Sequence, residues 1–308
     1  PSLHVLVMGL WIPFLSLILG FLLQLFSSFP KQKIAAIGKS YLIYLVLPAL
    51  ALLHIPPLKL SWNLAIAPSS AWLTFLISWV VFEYLGRKYH WEKSLTGCLI
   101  LVAGLANTSF LGFPVVAAAY GTEALATAFL IDQGGSFLIV STLAVAIGSK
   151  YGQGNPTLQT ILKKMFLFPP FIFMLLGLFL SFSQITLPSY WLILLEGIGT
   201  TMAPVALFVI GTSISLDPKW IQSRYLWYGL SYRLLLAPAL VWGIYLSFFP
   251  TSSLDLKVTV LESGMAPMIT GSLIAMEFNL QPRLAALLAG LGIPISGITL
   301  LVWYYLLG

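Results

Sequence analysis

Residues 94–122 form a run of 29 positions with no charged side chain and no histidine. At about 1.5 Å of rise per residue, such a run is long enough to cross a bilayer as a helix. Its middle does not suit a helix that faces lipid. The stretch AGLANTSFLGFP, residues 103–114, places Gly104, Asn107, Thr108, Ser109, Gly112 and Pro114 within eleven positions. Glycine loosens a helix, and proline removes one backbone donor and crowds the carbonyl four residues earlier. A backbone group left unpaired in hydrocarbon costs on the order of several kcal/mol, so a break at this depth persists only inside protein or beside water. The run reads as a transmembrane helix broken near its middle, with Gly104, Gly112 and Pro114 as hinge positions. A kinked helix whose polar groups are satisfied locally is the plainer reading.

The rest of the chain is equally poor in polar cover. Only 8% of its 308 residues are charged and 59% are hydrophobic, against about 25% charged in a soluble domain. The expectation is an all-α integral membrane protein. Hydropathy divides it into ten spans, at 4–27, 35–55, 63–85, 94–119, 123–149, 160–182, 189–214, 223–249, 256–277 and 283–306. Pro48, Pro204, Pro238 and Pro294 fall inside spans 2, 7, 8 and 10. The longest connector, KYGQGNPTLQ at 150–159, carries the Gly, Asn and Pro of a loop. It separates five spans from five, giving halves 1–150 and 151–308.

The basic residues orient the spans. Lys31, Lys33, Lys39, Arg87, Lys88, Lys93, Lys150, Lys163, Lys164, Lys219, Arg224 and Arg283 lie in odd-numbered connections, and only Lys59 and Lys257 in even ones. That bias puts the odd connections in the cytoplasm and both termini outside. It also accounts for the net charge of +6 by basic residues scattered over short loops, so no nucleic-acid partner is expected.

Five spans per half means that the second half is inverted relative to the first, so spans 4 and 9 run in opposite directions. Span 9 is interrupted too: LESGMAPMITGS, residues 261–272, holds Glu262, Gly264, Pro267, Thr270 and Gly271. Two interrupted segments at matching positions of two halves point to a transporter's binding site. The N-terminus of a second half-helix offers free N–H groups and a partial positive charge, which suits a carboxylate without a fixed cation. The candidate substrate-binding residues are Asn107, Thr108 and Ser109 from span 4 and Met265, Pro267, Met268 and Thr270 from span 9. Gly264 and Gly271 are the matching hinge positions. For Thr108 and Ser109 the alternative is back-bonding to their own helix; for Met265 and Met268 it is packing.

Ionisable groups at bilayer depth cost about 2.5–3.5 kcal/mol or more, so each needs a partner or a wet cavity. Asp132 lies midway along span 5, Glu262 just before the break in span 9, Glu196 early in span 7 and Arg233 inside span 8. One expectation pairs Arg233 with Asp132 or Glu196; the other has Asp132 or Glu262 carry a coupling Na⁺ or proton. Cys98 is the single cysteine and lies in an apolar span, so no intrachain disulfide or cysteine metal motif exists. No histidine pair has metal spacing and no Ser, His and Asp set suggests hydrolysis, so neither an enzyme nor a cofactor is expected.

Several segments resemble the auxin efflux carrier family. IAMEFNLQPR, at 274–283, is similar to that family's A-x-E-Y-N-x-x-P element after span 9, with Ala275, Glu277, Phe278, Asn279 and Pro282 at the matching positions. Ile293, Pro294, Tyr304 and Tyr305 are similar to its L-P-I-T…Y-Y segment in span 10. NTSFLGFP, at 107–114, is similar to N-T-x-x-x-G-x-P, LVLPALALLH, at 45–54, to its second span, and ESGMAP, at 262–267, to the E-A-A-M-P-P-like sequence of bacterial members. Ala106 stands where plant members have proline, and the central connector is short where theirs is long.

The resemblance implies two inverted five-helix repeats with broken, crossing helices 4 and 9, the fold shared with bile-acid sodium symporters. It also implies a scaffold of spans 1, 2, 6 and 7, a transport domain of spans 3–5 and 8–10, a homodimer, and small organic anions such as indole-acetate or dicarboxylates as substrates. Glu262 with Gly264 and Met265 is similar to the span 9 element of the bile-acid symporters, where that acid is a sodium ligand, which makes Glu262 a possible Na⁺ position. The expected activity is secondary transport of a small carboxylate by alternating access, in the plasma membrane or a bacterial inner membrane. A sodium-coupled bile-acid-type symporter and a non-transporting membrane sensor are the alternatives. A wide amphipathic cavity favours the symporter; a tight polar pocket beside Asn107 favours a small carboxylate.

Overall fold

The computed structural model describes residues 15–23, 30–57, 66–152, 159, 166–167, 169–212 and 222–308. Among the described residues the chain is helical throughout, with no strand. Five stretches of the described residues are long and apolar enough to cross a membrane: Lys33–His54, Ser69–Lys88, Thr122–Tyr151, Ser189–Val209 and Pro282–Leu307. They fall on expected spans 2, 3, 5, 7 and 10. Expected span 4 is divided into Lys93–Gly104 and Thr108–Tyr120, and expected span 9 into Leu254–Ser263 and Ile269–Glu277. Expected span 6 is seen as Pro169–Phe182, and span 8 as Arg224–Ser231, Tyr232–Leu236 and Ala237–Tyr245. Most of span 1, the connector residues 153–158 and the basic residues Lys59, Lys163, Lys164 and Lys219 lie outside the described residues.

Proline writes a recurring irregularity into these helices. The wide π turns Leu42–Val46, Thr108–Gly112 and Tyr232–Leu236 are each followed, two residues on, by Pro48, Pro114 and Pro238. A proline ring displaces the carbonyl four residues earlier, which here falls inside each turn, and the helix relaxes by widening there. The carbonyl freed in this way at Leu234 accepts a hydrogen bond from Trp303 Nε1 at 2.9 Å. A fourth wide turn, Asp132–Phe137, has the sequence DQGGSF and two glycines in place of a proline. Pro294, in contrast, sits inside the continuous helix Pro282–Leu307.

The chain divides into two compact units. The first comprises residues 1–61, 109–129 and 166–214. In it, Leu47–His54 packs against Pro169–Phe182 and Ser189–Gly199, and Met202–Gly211 against Lys31–Tyr41. Helix 15–23 meets Met202–Gly211 through two glycines. A Cβ on Gly20 would lie 2.3 Å from the Phe208 carbonyl oxygen, and one on Gly211 would lie 2.2 Å from that of Leu17. Small residues of this kind let helix backbones approach closely where no hydrophobic effect drives association. The same unit holds a mostly apolar cavity of about 240 Å³, with His54, Glu196 and Thr200 among its walls beside Phe113 and Pro114.

The second unit comprises residues 62–108, 130–165 and 215–308. Its centre is Lys93–Gly104, buried without interruption from Leu95 to Gly104. Apolar side chains on every face of that helix demand neighbours all round. Ser69–Lys88, Leu143–Tyr151, Ile269–Glu277 and Pro282–Leu307 supply them. Cys98 is a packing residue in this core. Ala237–Tyr245 packs against Leu254–Ser263, Trp72 Nε1 donates to the Gly134 carbonyl at 3.0 Å, and the Tyr232 hydroxyl donates to the Thr74 carbonyl.

Candidate functional site

Both interrupted helices stop in the second unit, and they stop beside each other. Lys93–Gly104 ends because Leu105 turns to extended backbone, at φ −102° and ψ 124°. Leu254–Ser263 ends at Gly264, and the chain extends again by Met268 before Ile269 starts the next helix. The two extended segments form a short antiparallel bridge, Ala106 opposite Pro267. The Asn107 N–H donates to the Ala266 carbonyl at 2.8 Å, and the Met268 N–H to the Leu105 carbonyl at 2.9 Å. Four backbone groups are thereby satisfied where a break inside a membrane would otherwise leave them unpaired. Neither the Ala106 N–H nor the nitrogen of Pro267, which carries no hydrogen, takes part in the bridge. A proline is therefore accommodated at 267 with no ladder bond lost. Glycine allows the close packing around the breaks: a Cβ on Gly104 would lie 2.4 Å from Ser78 Oγ, and one on Gly292 would lie 2.5 Å from Pro267 Cδ.

One side chain joins the two helix ends from behind. Arg233, fully buried in the wide turn Tyr232–Leu236, donates from Nη1 to the Gly104 carbonyl at 2.9 Å and from Nη2 to the Ser263 carbonyl. Gly104 and Ser263 are the last residues of the two half-helices. A guanidinium therefore sits where both helix dipoles are negative, a placement that contributes about 0.3–1 kcal/mol per end and up to about 2 kcal/mol when buried. This corrects the expectation that Arg233 pairs with Asp132 or Glu196. Its donors go to carbonyls, which serve a buried cation as well as carboxylates do. Glu196 lies in the first unit, on the wall of the apolar cavity. The sequence signal was present, in a lone arginine inside an apolar span and two interrupted helices each needing a C-terminal cap.

The carboxylates lie close to this junction. Thr108 Oγ1 donates to Asp132 Oδ1 at 2.5 Å, and Gln133 Nε2 to Asp132 Oδ2 at 2.6 Å. Both oxygens of this acid thus accept a hydrogen bond, one from Thr108 in the turn Thr108–Gly112 and one from Gln133, its neighbour in the turn Asp132–Phe137. Glu262 is 0% exposed, and among the described residues neither of its carboxylate oxygens has a hydrogen-bond partner; it is near enough to feel the charge of Asp132. A cavity of about 10 Å³ lies among Ser70, Thr74, Gly104, Thr108, Arg233 and Glu262, close to the volume that one water needs.

The remaining candidates are distributed as follows. Asn107 is 1% exposed, and among the described residues its side-chain Oδ1 and Nδ2 have no hydrogen-bond partner although its backbone is held in the bridge. Met265 and Met268 are buried and Thr270, the second residue of the next helix, is exposed. Gly271 packs on Leu105, and Gly264 closes the preceding helix. Ser109, Gly112 and Pro114 belong to the first unit. Ser109 is half-buried, Gly112 ends the wide turn, and Pro114 opens Phe113–Tyr120. Sequence reasoning did not anticipate Ser70, Thr74 or Ser272. Ser70 and Thr74 lie on the inner face of Ser69–Lys88 beside the small cavity, and Ser272 is buried with an unpartnered hydroxyl.

A family model described as membrane transport protein matches residues 6–304. An uncharacterized transporter of Methanocaldococcus jannaschii is 27% identical over 286 residues, covering 90% of this chain and 91% of its own length. An uncharacterized transporter of Methanothermobacter thermautotrophicus is 25% identical over 299 residues, covering 93% of each chain.

Proposed function

The chain belongs to the auxin efflux carrier family of membrane transport proteins, and from that premise we propose that it is a secondary transporter of a small organic anion that works by alternating access. One observation carries the reading: two broken helices whose breaks are bridged side by side, with the Asn107 amide buried and unpartnered at the junction. A buried amide with neither donor nor acceptor engaged forfeits about 1–3 kcal/mol that a ligand recovers. Its Nδ2 suits a carboxylate oxygen. In this reading Thr108, Ser109, Met265, Pro267, Met268 and Thr270 surround the substrate, and Gly104, Gly112, Pro114, Gly264 and Gly271 let the segments move.

The arrangement proposed around that site is ten spans in two inverted repeats of five, assembled as a homodimer in the plasma membrane. In this reading the transport domain is made of spans 3–5 and 8–10; segment 109–129, counted with it on family grounds, clusters with the first unit.

Asp132 and Glu262 are the ion-coupling pair of this proposal. A fully buried carboxylate without a donor is tenable when it takes up a proton or holds a cation such as Na⁺. The test is uptake into liposomes. Malate, pyruvate and indole-acetate are offered under separately imposed Na⁺, proton and voltage gradients. At least one should accumulate, and Asn107→Ala should abolish its accumulation while leaving thermal stability near that of the parent. Loss of folding in that variant makes Asn107 a structural residue. Removing Na⁺ at constant pH and voltage should abolish concentrative uptake; unchanged uptake discards sodium and leaves the proton.

A further inference from the structure

Away from the helix breaks, the second unit carries a cleft where three helix ends meet. The end of Ser69–Lys88, the start of Lys93–Gly104 and the end of Leu143–Tyr151 enclose about 450 Å³, with Arg87, His90, Lys93 and Lys150 among the walls. A groove of about 420 Å³ continues along Ser69–Lys88 past Leu76, Trp79, Val80 and Tyr84, and it shares Glu83 and Arg87 with the cleft. The groove is apolar and open: Val80 is 69% exposed and Tyr84 is 61% exposed. A basic cleft thus runs directly into an uncovered apolar strip on a helix long enough to span a membrane.

The acids nearby are already engaged. Glu83 accepts from Arg87 Nε at 2.9 Å and from the Tyr151 hydroxyl. Glu92 accepts from Ser94 at 3.3 Å and from Gln281 at 3.1 Å. The cations are less committed. Among the described residues Lys93 and Lys150 form no ion pair, and Lys150 Nζ rests 5.4 Å from the Trp79 ring and 5.0 Å from the Tyr151 ring. Arg87 uses Nε and Nη2 on Glu83 and keeps Nη1 for another acceptor. Lys88 lies over Tyr84 and Tyr89. With Trp91 these rings make the amphipathic belt usual at a membrane interface. The first turn of Lys93–Gly104 adds free N–H groups and the positive end of a helix.

We propose that the cleft and groove together bind one anionic phospholipid, its phosphate among Arg87, Lys93 and Lys150 and an acyl chain along Leu76, Val80 and Tyr84. Continuity of the two surfaces selects a lipid over a free anion, because a free anion uses the cleft and leaves the groove empty. Net positive charge selects an anionic headgroup over a zwitterionic one. The site is separate from the helix breaks and does not depend on the transport reading.

The test uses the purified full chain and native mass spectrometry, with phosphatidylglycerol, phosphatidylcholine and glycerol phosphate supplied at equal concentration. Phosphatidylglycerol should be retained, phosphatidylcholine weakly, and glycerol phosphate not at all. The double variant Lys93→Gln, Lys150→Gln should lose roughly thirtyfold in phosphatidylglycerol affinity, and Lys93→Arg, Lys150→Arg should bind as the parent does. Equal retention of the two lipids, equal binding of glycerol phosphate, or loss of binding in the arginine variant each overturns the proposal.

Discussion

Arg233 shows how one residue can set the geometry of a site without touching what the site binds. Its two hydrogen bonds fix the distance between Gly104 and Ser263, and with it the place where the two chains bridge. Replacing it with Met leaves two helix-end carbonyls without donors, at about 1–3 kcal/mol each. Arg233→Met should lower stability by about 3–5 kcal/mol. Arg233→Lys should recover less than half of that, because an ammonium keeps the charge but lacks the planar fork that reaches two carbonyls at once. Thermal unfolding of the detergent-solubilised protein, followed by size-exclusion chromatography, measures both. An unchanged melting temperature in Arg233→Met shows that the helix ends need no cap. Asn107 contrasts with this. Its side chain makes no hydrogen bond among the described residues, so truncation to Ala should leave the melting temperature within about 2 °C of the parent, a shift smaller than about 1 kcal/mol produces.

At the scale of elements, the interruptions were legible because glycine and proline cluster in residues 103–114 and 261–272, and each cluster did end a helix. The wide turns were not legible. Nothing in a hydropathy pattern distinguishes a π turn from an α turn, although Pro48, Pro114 and Pro238 mark their positions once the relation is known. The pairing of Ala106 with Pro267 was likewise hidden, since it joins residues far apart in the chain through backbone atoms common to every residue. The bridge explains why alanine suffices at position 106. Leu105 already has the extended conformation that a residue preceding proline requires, and the bridge makes no use of the Ala106 N–H. Ala106→Pro should therefore fold normally and hold or raise stability by about 0.4–1 kcal/mol. Asn107→Pro removes a bridging donor and should destabilise the protein strongly. Chemical or thermal denaturation of the two variants side by side checks this; equal damage by both means that the bridge is not the feature that position 106 serves.

For the molecule as a whole, composition was enough to place it in a membrane, and the charge bias makes a definite statement about which connections lie on which side. It was not enough to divide the chain into its two units, because segment 109–129 follows contacts rather than sequence neighbours. The orientation rests on the distribution of lysine and arginine, and it can be tested with the chain's own chemistry. Cys98 is its single cysteine and is fully buried, a position where Cys98→Ala removes one small polarizable group and should be tolerated. In that background, His90→Cys lies in the third connection and Thr122→Cys in the fourth, and both positions are exposed. Between them run both halves of the broken span. If that span crosses the membrane, a maleimide that cannot permeate should label position 122 from the outer side of sealed right-side-out vesicles and reach position 90 only after the vesicles are opened. Labelling of both positions from one side means that residues 93–120 enter and leave by the same face. The second half of the chain is then not inverted relative to the first, and the two breaks lose the opposed approach on which alternating access through them depends.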